Sequence, residues 1–216
     1  MSRSSLPGTL VIIRHGESEW NALGKWTGHT DVHLSAKGYR ESAMMGEKLR
    51  DVKFDHVYYS QQIRTKETLE GVLDASRQPD VPYEVSPALN ERDYGIYTGK
   101  NKWEVQKEIG EAAFHAIRRG WDVPVEEGET LKMVYERTLP FYQDTVLPRL
   151  KRGETVLLIA HGNSTRSLMK YIENISDGEI GNVEMIFGTA LIYRVDDEGR
   201  LTHKETREID TTPPPA

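Results

Sequence analysis

Residues 9–21 read TLVIIRHGESEWN, and the change of character inside this stretch decides the fold. Leu10, Val11, Ile12 and Ile13 are apolar and mostly β-branched, as a buried strand requires. Arg14, His15, Gly16 and Glu17 follow without a spacer. A second stretch, TVLLIAHGNSTR at 155–166, repeats the plan: an apolar run, then His161, Gly162, one residue and Ser164. In open α/β sheets ligands collect outside the carboxyl ends of the strands, so both His-Gly pairs fall where a site is expected. If the two strands are neighbours, one rim carries two imidazoles and the Arg14 guanidinium.

Outward from these strands, short β-type runs alternate with longer stretches of helical period, the pattern of an α/β domain. Ser35 is placed to cap a helix over 36–50, with Tyr39, Ala43, Leu49 and Val52 expected on one side. HVYYS reads as a strand, followed by a helix through QQIRTKETLEGVLDA with Ser60 as its N-cap. VPYEVSP reads as a strand bounded by Pro82 and Pro87, and 90–102 as a long loop. Helices are expected over 102–119, 130–150 and 164–172, and ALIYRVDDEGRLTHKETREI closes as a hairpin turning at Asp197–Gly199. One domain over 1–216 is expected, with 210–216 as a disordered tail.

The composition narrows the chemistry. There is no cysteine among 216 residues, which excludes disulfides, thiolate metal sites and a cysteine nucleophile. No apolar run approaches the roughly 20 residues that span a bilayer, and MSRSSLPGT has no apolar signal core, so a cytoplasmic protein is expected. The net charge of −6 argues against nucleic acid or an anionic membrane as the main partner. It leaves room for a small anion held by a local cluster of arginines.

Burying Arg14 is costly without an anionic partner, and a phosphate accepts two parallel bonds from a guanidinium. A histidine beside such a group can be nucleophile, acid or charge stabiliser. Competing motifs fail on spacing. Neither His-Gly stretch completes a G-x-S-x-G elbow, GKWTG lacks the earlier glycine of a phosphate loop, and no G-x-G-x-x-G is present. His29 and His33, four apart, lie in a stretch that reads as a surface loop without further metal ligands.

RHGESEWN together with AHGNS resembles the histidine phosphatase superfamily. WTGHTDVHLSAKG, LNERDYGIYTGKNK, RRGWDVPV and AHGNSTRSLMKYI resemble one branch of it, the cofactor-dependent phosphoglycerate mutases, from about residue 10 to 195. The resemblance implies a three-layer α/β/α fold whose mostly parallel central sheet is flanked by helices. It implies His15 as the phosphoryl carrier, Arg14, Arg64 and His161 around the phosphate, and Glu91 as general acid and base. Asn21 would lie near the phosphate, with Gly162 contributing backbone. Ser18, Thr27, Gly28, Arg92, Tyr94, Lys102, Arg118, Arg119 and Asn163 would hold the phosphoglycerate. It further implies 2,3-bisphosphoglycerate as phosphoryl primer, no metal, small phosphoglycerates as partners, and a homodimer or homotetramer. On the residues alone, Arg64 and Lys102 could be solvated, and Arg118–Arg119 could simply end a helix favourably. A phosphomonoester phosphatase of the same superfamily and a non-catalytic phospho-ligand binder stay open as alternatives. Against that branch, the short segment between Arg119 and Thr130 bears on oligomeric contacts, and a chain that stops soon after Ile209 leads us to expect some loss of the phosphoryl group to water.

Overall fold

The structure, a computed structural model, describes residues 7–211, so most of the expected tail at 210–216 lies outside the described residues. The strands are β1 (Gly8–Arg14), β2 (His56–Tyr59), β3 (Tyr83–Val85), β4 (Thr155–Ala160), β5 (Thr189–Val195) and β6 (Leu201–Glu208). They form one sheet in the order β3-β2-β4-β1-β5-β6. The neighbours among β1 to β4 pair parallel, while β5 runs antiparallel to β1 and β6 closes the expected hairpin on β5. The helices are α1 (Glu19–Ala22), α2 (Ala36–Lys48), α3 (Ile63–Ala75), α4 (Lys102–Ile109), α5 (Glu111–Arg119), α6 (Leu131–Phe141), α7 (Leu147–Lys151) and α8 (Gly162–Ile172).

Strand periodicity sorts the apolar runs into two cores. Leu10, Ile12, Val156, Leu158 and Ala160 face one side, packed with Tyr142, Val146 and Leu150 and with Leu168 and Met169 of α8. Val11, Ile13, Leu157 and Ile159 face the other, packed with Met45 and Leu49 and with Leu69, Val72 and Leu73 of α3. The central strands read as unbroken apolar runs because both faces are covered. A smaller cluster of Trp26, Val105 and Phe114, with Tyr94 and Tyr97 against it, anchors α4 and α5 over the carboxyl end of the sheet.

Four local expectations are corrected. Tyr39 and Ala43 are exposed, and α2 instead buries Gly38, Glu41, Ser42, Met45 and Gly46. The expected helix over 102–119 breaks at Gly110, whose φ of +82° suits glycine and not a helix interior. The one over 130–150 is interrupted by a π-helical turn at Tyr142–Val146 that follows Pro140, which offers no N–H to the helix ladder. Ser60 is not the cap of α3; Gln62 holds that position, and the Ser60 hydroxyl meets His161.

β1 and β4 are direct neighbours in a register that sets Arg14 beside Ala160. The His15 N–H then donates to the Ala160 carbonyl at 3.0 Å, so the two His-Gly loops leave the sheet side by side. The loop after β1 also rests on α2. A Cβ on Gly38 would overlap the Glu17 carbonyl oxygen, so this helix-to-loop approach needs glycine. We predict that Gly38→Ala destabilises the fold by about 1–3 kcal/mol, as overpacking does, seen as a lowered midpoint in thermal unfolding. An unchanged midpoint would contradict the seating of the loop.

Candidate active site

Two buried imidazoles sit at the rim, their ring centroids 4.8 Å apart. His15 Nδ1 lies 2.6 Å from the Gly16 carbonyl oxygen. A carbonyl only accepts, so Nδ1 carries the proton and Nε2 keeps its lone pair. Burial, then Arg64 and Arg14, hold His15 well below the ordinary imidazole value, leaving a neutral ring at neutral pH. His161 is lowered in the same way, first by burial and then by Arg64 and His15. Its Nε2 lies 2.7 Å from Ser60 Oγ, and its Nδ1 has no partner among the described residues.

Arg14, Arg64, Lys102, Arg118, Arg119 and Arg166 line one pocket with His15, against the carboxylates of Glu91 and Glu184. The buried arginines are anchored mainly by neutral carbonyls. Arg14 Nη1 donates to the Met185 carbonyl at 3.0 Å, and its guanidinium stacks 3.6 Å above the Phe187 ring. Arg64, on the first turn of α3, donates to the carbonyls of Thr30 and Gly28 at 3.0 and 3.1 Å. Burial lowers Arg64 to about 10, which leaves it charged. Arg119 is the exception, paired with the Glu184 carboxylate. Lys102 opens α4 and is lowered to about 8, first by burial and then by Arg118 and Arg14. A strongly positive recess in an acidic protein suits an anion with several negative charges.

Glu91 faces the N-terminus of α8. Its Oε1 accepts from the backbone N–H groups of Arg92 and Asn163 at 2.8 and 3.2 Å, and from Asn163 Nδ2 at 3.0 Å. A Cβ at Gly162 would lie 3.7 Å from Glu91 Oε2 and 3.6 Å from Arg14 Cζ, so the free carboxyl oxygen and a guanidinium converge on the start of α8. This is the N-terminal end of α8, where the helix dipole favours an anion. Asn163 Nδ2 also donates to the Tyr94 hydroxyl at 2.7 Å. Burial, followed by the Glu91 charge, raises the Tyr94 phenol and keeps it neutral.

Of the residues singled out in the sequence, Arg14, His15, Asn21, Thr27, Gly28, Arg64, Glu91, Tyr94, Lys102, Arg118, Arg119, Gly162 and Asn163 line this one pocket. Three stand elsewhere. His161 lies behind His15. Ser18 is the buried N-cap of α1, its hydroxyl donating to Asn21 Oδ1 at 2.8 Å, so it acts on Asn21 and not on the pocket. Arg92 is fully buried, and its guanidinium donates to the carbonyls of Glu129, Ile117 and Val123; it braces the pocket wall. His29 lies beside Asp93 and Glu129, whereas His33 pairs with Glu67, so the two do not converge. Sequence reasoning missed Trp26, Arg166, Glu184 and Met185 of the lining. Arg166 carries a legible signal, a cation two residues after AHGNS on a helix otherwise buried at that end. Glu184 and Met185 lie in an irregular segment before β5, where periodicity says nothing.

The sequence profile of the histidine phosphatase superfamily (branch 1) matches residues 10–206. A protein of Parvibaculum lavamentivorans named 2,3-bisphosphoglycerate-dependent phosphoglycerate mutase is 39% identical, covering 93% of this chain and 96% of its own. A phosphoglycerate mutase of Schizosaccharomyces pombe is 38% identical over 95% of this chain and 98% of its own. Among solved structures, a mycobacterial glucosyl-3-phosphoglycerate phosphatase in complex with VO3 superposes with a TM-score of 0.80. It covers 93% of this chain and 98% of its own at 19% identity, a likeness of fold.

The Lys102 ammonium gives a pH test of the recess. Its charge is present below about pH 8 and lost as pH rises through that value, so anion affinity must fall on the alkaline side. Sulfate, which does not titrate in this range, is the probe for calorimetry. We expect its Kd to be flat near neutrality and to climb above about pH 8. Lys102→Met should bind more weakly at neutral pH and lose the alkaline limb; a wild-type profile without that limb would contradict the assignment.

Proposed function

The chain belongs to the histidine phosphatase superfamily, and from that premise we propose that it interconverts 3-phosphoglycerate and 2-phosphoglycerate through a phosphohistidine on His15, primed by 2,3-bisphosphoglycerate. The observation that carries this reading is identity of about 39% over nearly the whole length to proteins of that activity. The recess fits such ligands. A carboxylate and one or two phosphates need several cations, and six line this pocket: Arg14, Arg64, Lys102, Arg118, Arg119 and Arg166. The buried Trp26 Nε1 and Thr27 Oγ1, without partners among the described residues, add polar atoms in the same wall.

In this reading the neutral His15 ring attacks phosphorus through Nε2. A nitrogen–phosphorus bond forms as the ester oxygen–phosphorus bond breaks, and the proton stays on Nδ1, donated to the Gly16 carbonyl. Charge gathering on the phosphoryl oxygens is met by Arg14, Arg64 and the α8 N-terminus, already in place before the reaction. The departing alkoxide takes a proton from Glu91 Oε2, which becomes a carboxylate. The return step runs the same exchange in reverse: Glu91 takes the proton of the neighbouring hydroxyl, and that oxygen accepts the phosphoryl group. The primer, when bound, supplies the phosphoryl group that first loads His15. The set of roles needs side-chain cations and assigns no step to a metal.

Labelling tests the reading. Protein incubated with radioactive 2,3-bisphosphoglycerate is expected to acquire one acid-labile, base-stable label, absent from His15→Ala. The labelled protein should interconvert the two phosphoglycerates with activity that survives a chelator. Glu91→Gln should lower turnover by about a hundredfold or more, the usual contribution of a general acid. Ready hydrolysis of varied phosphomonoesters without any interconversion, even when primed, would favour the phosphatase alternative.

A further inference from the structure

Arg166, one of the cations lining the pocket, is buried and has no assigned part in the proton transfer; it is held at the far side of Asn163 from Glu91. Its Nη1 donates to Asn163 Oδ1 at 3.0 Å, and its Nη2 to the carbonyls of Arg119 and Ile180 at 2.8 and 2.7 Å. Arg119 is the last residue of α5, the helix that brings Arg118 and Arg119 to the pocket. One guanidinium therefore spans the asparagine that touches Glu91 and the helix that carries two of the anion-binding arginines.

The consequence follows from which atoms donate. An amide side chain has one accepting and one donating end, and the two are exchanged by rotating it half a turn. Arg166 has donors only, so the end of Asn163 that meets it must be Oδ1. Nδ2 is thereby turned toward Glu91 Oε1 and the Tyr94 hydroxyl. Glu91 Oε1 already accepts from the backbone N–H groups of Arg92 and Asn163. With Asn163 Nδ2 it faces three donors and has no acceptor to which a proton on it could point. A proton carried by Glu91 must then sit on Oε2, the oxygen on the pocket side.

We propose that Arg166 is a positioning residue, which acts through Asn163 to place the transferable proton of Glu91 on the oxygen facing the substrate and ties that arrangement to α5. The role rests on the phosphoglycerate reading above. Without Arg166 the amide is free to rotate and offer Oδ1 to Glu91, which stabilises the proton on Oε1, where it cannot reach the leaving oxygen. The defect is confined to leaving groups that need a proton. An alkoxide of phosphoglycerate needs one; the nitrophenolate of p-nitrophenyl phosphate departs without.

The experiment compares His15 phosphorylation by 2,3-bisphosphoglycerate with the single-turnover burst of nitrophenolate from p-nitrophenyl phosphate, in the same preparation. The ratio of the two rates is independent of the fraction of active protein. For Arg166→Met we expect that ratio to fall about a hundredfold, comparable with loss of a general acid and with Glu91→Gln. For Arg166→Lys, whose ammonium reaches Asn163 but cannot form the planar fork, we expect a fall of about tenfold. If the methionine variant does not fold, the lysine variant decides alone. A parallel fall of both rates, or an unchanged ratio, would overturn the positioning role and show Arg166 as packing only. Failure of the wild-type protein to label His15 would instead refute the phosphoglycerate reading, so the two failures are distinguishable.

Discussion

The pairing of β1 with β4 is the constraint on which the rest of the site depends. Its register puts Arg14 opposite Ala160 and lets the His15 N–H close on the Ala160 carbonyl. Both strands are sealed on two faces by apolar cores, so neither can slip without turning its buried side chains to the wrong face. The two His-Gly loops therefore emerge at fixed separation, and the start of α8 lies next to the tip of β1. Arg14, His15, His161 and the start of α8 are all hung from this one end of the sheet.

A second constraint is electrostatic. Burial, and then neighbouring cations, push Arg14, Arg64, Arg166 and Lys102 downward, so holding these charges together costs energy. Carboxylate partners would relieve that energy and cancel the field. The structure instead offers mainly carbonyl oxygens: Met185 for Arg14, Thr30 and Gly28 for Arg64, Arg119 and Ile180 for Arg166. Carbonyl dipoles satisfy the donors but leave the net charge for a ligand. Burial first, and then the same field, keep His15 neutral, as the proposed role of nucleophile requires. In the proposed reading, one arrangement both attracts the anion and prepares the group that attacks it.

Legibility in the sequence followed the physics of each element. Arg14, His15 and His161 stood out because charge at the tip of an apolar strand is costly and needs a reason. Glu91, Lys102, Arg118 and Arg119 lie on a loop and on short helices, where charge is ordinary; only likeness to a family marked them. The buried side of α2 was misread because close approach to the 15–18 loop and to α3 selects Gly38, Ser42 and Gly46, which carry no hydrophobic signal. Ser18 and Arg92 stand outside the pocket lining, turned to Asn21 and to backbone carbonyls, since the partner of a side chain is a property of the folded chain. The same holds for Arg166, whose importance depends on which way one amide is turned.

The Gly16 carbonyl, by holding the proton on His15 Nδ1, leaves Nε2 as the atom proposed to carry phosphorus. Nitrogen-15 and phosphorus-31 NMR of the phosphorylated, histidine-labelled protein reads this directly, because the coupling identifies the nitrogen bonded to phosphorus. The expected result is a single phosphohistidine with phosphorus on Nε2 of His15. Phosphorus on Nδ1, on another residue, or on none would contradict it.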